Sequence, residues 1–138
     1  MEILANSISG FPAFAFALYF VVSLALLTLF LAVYLRVTPY HEIALIREGN
    51  VAAALSLAGT TLGFVIPLSH AIAQSVSLPD MLVWGAIAFV VQTLVYLFAA
   101  RLLPDIGKRI AEGELAHGTT LGVLSLATGI LNAACMTY

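Results

Sequence analysis

Four apolar stretches, at about residues 11–35, 51–74, 80–101 and 116–136, occupy most of this 138-residue chain. Each holds about 20 or more residues, and at about 1.5 Å of helical rise per residue each covers the roughly 30 Å of a bilayer's hydrocarbon core. The chain is therefore expected to be an all-α, polytopic membrane protein with four transmembrane helices in a single domain, residues 1–138. Composition agrees: 62% of residues are hydrophobic and only 9% charged. A soluble domain carries about 25% charged residues. The net charge of -2, with no basic patch interleaved with aromatics, argues against a nucleic-acid partner.

The five basic residues fall in or beside two connections. Arg36 and Arg47 flank the first, while Arg101, Lys108 and Arg109 belong to the second. Lys and Arg gather on the cytoplasmic side of membrane proteins. Both basic loops are thus expected in the cytoplasm and both termini in the periplasm. Glu2, in place of a basic n-region, and the long apolar run after it predict that the first stretch is retained as a helix rather than cleaved as a signal.

The connections resemble each other. Thr38-Pro39 offers a cap and first turn for a short helix, which Gly49 closes in a left-handed conformation. Ile43, Leu45 and Ile46 give that helix an apolar side suited to the headgroup boundary, and Pro104 to Gly113 repeats the plan with Ile106 and Ile110. Ile46-Arg47-Glu48-Gly49 parallels Ile110-Ala111-Glu112-Gly113, and Arg36 to Pro39 parallels Arg101 to Pro104. Two parallel copies of a helical hairpin, about residues 11–75 and 79–138, account for these matches. Such repeats are related by an axis along the membrane normal.

The second and fourth spans carry small and polar residues at three- and four-residue spacing, on one side of each helix. In the second span these include Ser56, Gly59, Thr60, Gly63, Pro67, His70 and Gln74; in the fourth, Gly118, Gly122, Ser125, Gly129 and Asn132. Lipid supplies no hydrophobic drive for helix pairing, whereas small residues let two backbones approach closely. Gly59, Gly63, Gly118, Gly122 and Gly129 are accordingly expected to pack the two spans together. Ser56, Thr60, His70, Gln74, Gln92, Ser125 and Asn132 form the candidate polar stripe or pathway. Gln92, near mid-membrane by helical rise, needs partners across the second or fourth span. The first and third spans read as an outer layer, the first carrying bulky groups such as Phe14, Phe16, Phe20 and Phe30. Tyr34, Tyr40, Trp84, Tyr96 and Tyr138 suit aromatic belts at the interfaces.

Chemistry-bearing groups are sparse. No acidic residue lies in the interior of a span, which argues against a carboxylate relay. His70, beyond Pro67, is an interfacial anchor or a functional group; His117 sits near Glu114 at the mouth of the fourth span, and His41 beside Glu42 in a loop. Three dispersed histidines do not form a metal site, and neither a cofactor nor an enzymatic activity is expected. Cys135, the single cysteine, reads as an inert apolar group rather than as a nucleophile paired with His70.

Thr38-Pro39-Tyr40-His41-Glu42, Gly49-Asn50-Val51-Ala52-Ala53-Ala54, Leu62-Gly63 to Pro67-Leu68-Ser69, and Asn132-Ala133-Ala134-Cys135-Met136 together resemble the YjfL-type bacterial inner-membrane proteins, catalogued as domain of unknown function 350. The resemblance covers nearly the whole chain. It implies four spans in a bacterial plasma membrane and brings no reaction, substrate or catalytic residue. The expected role is a helix-packing subunit or scaffold of an envelope assembly. Its partners are membrane lipid and either further copies of itself or other inner-membrane proteins. The alternative is a small oligomeric transporter or channel lined by the stripe on the second span.

Overall fold

The structure, a computed structural model, describes residues 12–136; Glu2, Phe11 and Tyr138 lie outside them. Its helices are α1 (Pro12–Val37), α2 (Glu42–Arg47), α3 (Val51–Gln74), α4 (Leu78–Leu102), α5 (Ile106–Ala111) and α6 (Leu115–Cys135). The long ones, α1, α3, α4 and α6, are each long and apolar enough to cross a membrane. Ser77 starts α4 by accepting a hydrogen bond from the Asp80 amide, with Pro79 in the first turn. Asn50 starts α3 by accepting from the Ala53 amide at 3.0 Å.

Both connecting helices end alike. Gly49 (φ 87°) and Gly113 (φ 83°) take the left-handed conformation. The next residue's amide reaches back five positions, Asn50 to the Leu45 carbonyl and Glu114 to that of Arg109. This pattern satisfies helix-end carbonyls that would otherwise lack donors. The beginnings depart from expectation. Helix α2 starts at Glu42, three residues beyond Pro39, with His41 at the cap position and no side-chain cap. The Thr38 hydroxyl instead donates to the Leu35 carbonyl at 3.4 Å, at the end of α1. The chain first dips inward to bury Tyr40, and only then turns into the helix.

Helices α3 and α6 form the centre and α1 is outermost; the third span, expected in an outer layer with the first, instead lies across both central helices as α4 and buries Met81, Ala88, Gln92 and Ala99 against them. Phe30 and Tyr34 are the buried residues of α1, both in its second half. Phe30 stacks on Phe64 of α3 (ring centroids 4.3 Å) and meets Phe89 of α4 edge-on at 5.3 Å. Tyr34 meets Tyr96 edge-on at 5.8 Å. Aromatic pairs at such separations add to simple area burial, so they anchor this half of α1. The first half stands away, leaving a groove of about 580 Å³ lined by Phe16, Phe20, Leu24, Val65, Leu68 and Ile72, among others.

At the other end of the bundle the two connections touch. A Cβ at Gly107 would stand 2.7 Å from Pro39 Cγ. The Asn50 amide donates to the Ile110 and Ala111 carbonyls at 2.9 and 3.2 Å. The exposed Arg36, Arg47, Arg101, Lys108 and Arg109 all gather at this basic end. Two expectations are corrected here. Ile106 and Ile110 do not face a headgroup boundary but are buried in the core, because the second connection folds onto the bundle and the first. Tyr34, Tyr40 and Tyr96 are 2%, 5% and 5% exposed, hence core groups rather than belt residues. Trp84 is half-buried.

Candidate functional site

The seam between α3 and α6 brings backbones into direct contact. A methyl group at Gly118 would lie 2.7 Å from the Ala52 Cα, one at Gly122 2.5 Å from the Leu55 oxygen, and one at Gly63 2.8 Å from the Ser125 carbonyl carbon. Gly59 lies against the backbone of Gly122, and Gly129 against that of Gly63. Partners rise together along both chains, so α3 and α6 run parallel. The five glycines named from spacing thus form one continuous crossing, consumed within the chain.

Polar groups are threaded through that crossing. Ser56, Thr60, Gln92 and Ser125 are buried. Thr60 Oγ1 links the Tyr34 hydroxyl at 3.3 Å to the Ser125 hydroxyl at 3.2 Å. The Gln92 amide donates to the carbonyls of Gly63 at 2.9 Å and Ser125 at 3.0 Å. Pro67 explains the first acceptor. Lacking an N–H, it leaves the carbonyl four residues earlier, that of Gly63, without its helical donor. Gln92 supplies that donor from α4 and ties the three inner helices at one level.

The remaining stripe residues lie toward the opposite end. His70 is half-buried, its Nε2 3.3 Å from the Met136 carbonyl oxygen. Asn132 is half-buried, its side-chain amide nitrogen without a hydrogen-bond partner. Gln74 is exposed at the end of α3, and Cys135 is exposed. His117 Nδ1 stands 3.0 Å from Glu114, whose other carboxylate oxygen pairs with Arg109 at 2.9 Å. Among the described residues, no three of His, Cys, Asp and Glu come together as a metal site.

A second cluster, at the basic end, was not singled out from the sequence. Glu42 opens α2 and is 1% exposed. Neither carboxylate oxygen has a hydrogen-bond partner, and neither does the adjacent Tyr40 phenol. Its charge is felt by the Tyr34 and Tyr96 phenols, on α1 and α4. Burial in low dielectric disfavours the charged form of an acid. It pushes the Glu42 carboxyl up from 4.5 to about 7, an effect only partly offset by the nearby Thr38 and Tyr40 hydroxyls. Burial likewise raises the Tyr40 phenol. A usable signal existed in the sequence: Glu42 shares a helical face with Leu45 and Ile46, at three- and four-residue spacing, where an exposed acid would not be placed.

Comparisons with known proteins agree with this architecture. Residues 5–136 match the family described as Domain of Unknown Function (DUF350). The inner membrane protein YjfL of Escherichia coli (strain K12) is 44% identical over 124 residues, covering 90% of this chain and 94% of that protein. The transmembrane protein YshE of Bacillus subtilis (strain 168) is 33% identical over 120 residues, 86% of this chain and 90% of that protein. No solved structure is significantly similar. With four membrane-length helices and a family match along nearly its whole length, the chain belongs to the DUF350 family and is a multi-pass inner-membrane protein.

Proposed function

We propose that this protein is a membrane-embedded subunit or scaffold of an envelope assembly, self-packed through α3 and α6 and joined to a partner through α1. The contrast between its surfaces carries this reading. The glycine seam is closed inside the chain, while the first half of α1 stands off α3 and leaves between them the apolar groove of about 580 Å³. A helix anchored at one half by an aromatic cluster and free at the other presents an apolar ridge to another membrane protein or a second copy. Burial of Ser56, Thr60, Gln92 and Ser125 in hydrogen-bonded packing supports this role over an oligomeric pore lined by that stripe.

The basic end faces the cytoplasm, by the bias of Lys and Arg, and both termini face the periplasm. There the exposed arginines and Lys108 meet anionic headgroups, each contributing about 1 kcal/mol. The two halves are copies of one hairpin, supported by the repeated long-short-long order and the matching Gly49 and Gly113 endings. The test is a photo-cross-linker at Phe16, compared with one at the exposed Val123 of α6, followed by mass measurement of the intact complex from mild detergent. Cross-linked protein from position 16 and a mass above one chain plus lipid are expected. A single chain with equal labelling at both positions refutes the role.

A further inference from the structure

We infer that Glu42 is a proton-binding site of the bundle, and that loss of its proton releases α2 from the helices beneath it. The geometry leaves the carboxyl few alternatives. It is 1% exposed and both oxygens lack hydrogen-bond partners. Among the described residues the ion pairs are Arg109 with Glu114 and His117 with Glu114, so no cation neutralises it. The Thr38 and Tyr40 hydroxyls lie beside it, the Tyr34 and Tyr96 phenols on α1 and α4 are near enough to feel its charge, and His41, the preceding residue, lines a pocket with it without forming an ion pair. A resident metal ion needs several oxygens converging at about 2.0–2.6 Å. Here no second acid joins the carboxyl, and the Thr38 and Tyr40 hydroxyls beside it, close enough to favour the anion, fall short of full hydrogen-bond geometry, so that cage is not formed. A proton needs only the carboxyl itself.

Removing the proton leaves a buried charge with no cation beside it, and a buried charge without a partner is strongly disfavoured. The short helix α2 is the movable part. It holds six residues, has no side-chain cap, and begins at the titrating residue. Its other end is the positive-φ Gly49, which a Cβ would leave unclashed, so space surrounds that turn. Water reaches the carboxylate once α2 tilts outward. The proposal does not depend on what partner α1 meets.

The experiment uses the full chain in lipid nanodiscs, titrated between about pH 4 and about pH 9 around the ordinary and raised carboxyl values. Infrared difference spectra read the carbonyl band of a protonated carboxylic acid; hydrogen exchange reads α2. The expected band disappears with a midpoint near 7, and exchange in residues 42–47 rises over the same range. Glu42→Gln abolishes the band and leaves exchange independent of pH. Tyr40→Phe keeps the band and moves its midpoint upward, because one hydroxyl that favours the anion is gone; this variant decides the matter if Glu42→Gln does not fold. The inference is overturned by a midpoint near the ordinary carboxyl value, by a band that survives Glu42→Gln, or by an unmoved midpoint in Tyr40→Phe. It is equally overturned if sodium or calcium at constant ionic strength lowers the midpoint, since the oxygens would then be holding a cation.

Discussion

Replacing Gly129 with Ala strikes the seam where packing and hydrogen bonding meet. The new Cβ would stand 2.5 Å from the Gly63 Cα and 2.7 Å from its carbonyl carbon. Carbon atoms settle at about 3.5–4.0 Å, so α3 and α6 must part by roughly 1 Å at this level. That displacement separates the two acceptors Gln92 bridges, now 2.9 and 3.0 Å from its amide, and pushes at least one beyond hydrogen-bonding reach. The Thr60 to Ser125 link at 3.2 Å has no slack to follow. Overpacking costs about 1–3 kcal/mol and each interhelical bond about 0.6 kcal/mol, against a gain of up to about 1 kcal/mol in helix propensity. A net loss of about 2 kcal/mol follows, roughly a thirtyfold fall in the folded-to-unfolded ratio. Reversible unfolding in mixed micelles, followed by Trp84 fluorescence, measures it, with the exposed Ala127→Leu on the same helix as control. A Gly129→Ala protein within about 0.5 kcal/mol of the parent, the range of neutral surface changes, refutes the close-contact seam.

Three other outcomes follow. Gln92→Leu should cost about 1–2 kcal/mol in the same assay, and less in a Pro67→Ala background, where the substituted residue's N–H resupplies the Gly63 carbonyl; strict additivity of the two changes argues against the shared acceptor. Asn50→Ala removes a helix cap and two bonds to the second connection, and should cost about 1–2 kcal/mol with faster hydrogen exchange in α5, while Glu114→Ala stays near neutral; equal effects would contradict the bridge. Because the folded carboxyl of Glu42 titrates near 7 and the unfolded one near 4.5, the unfolded chain loses its proton first as pH rises. Stability is then full below the lower value and declines up to the higher one, by at most about 1.4 kcal/mol per pH unit. Chemical unfolding across that range should show the decline in the parent and a flat profile in Glu42→Gln.

Span number, the central pairing and the level of Gln92 against the second and fourth spans are legible in the residues because each follows from one helix considered alone: its length, its face, its rise. Glycines at four-residue spacing in α3 and α6 announce a close crossing before any partner is known. The tyrosines illustrate the limit. Tyr34 and Tyr96 lie near the ends of apolar stretches, where a belt residue and a core residue have the same sequence surroundings. Only the inward fold of Pro39-Tyr40 and the docking of α5 on it decide between them. Glu42 is legible in part: its helical face, shared with Leu45 and Ile46, is in the sequence, but the completeness of its burial arises from contacts among segments distant in the chain.

The bridging amide of Gln92 also imposes a timetable on biogenesis. Of its two acceptors, Gly63 is synthesised before it and Ser125 after it. A nascent chain halted after α4 therefore holds a half-satisfied donor in the bilayer, and its first three hydrophobic helices remain loosely coupled. Arrival of α6 completes the clasp and locks the inserted segments together, so truncation before Ser125 should mark the chain for membrane proteolysis.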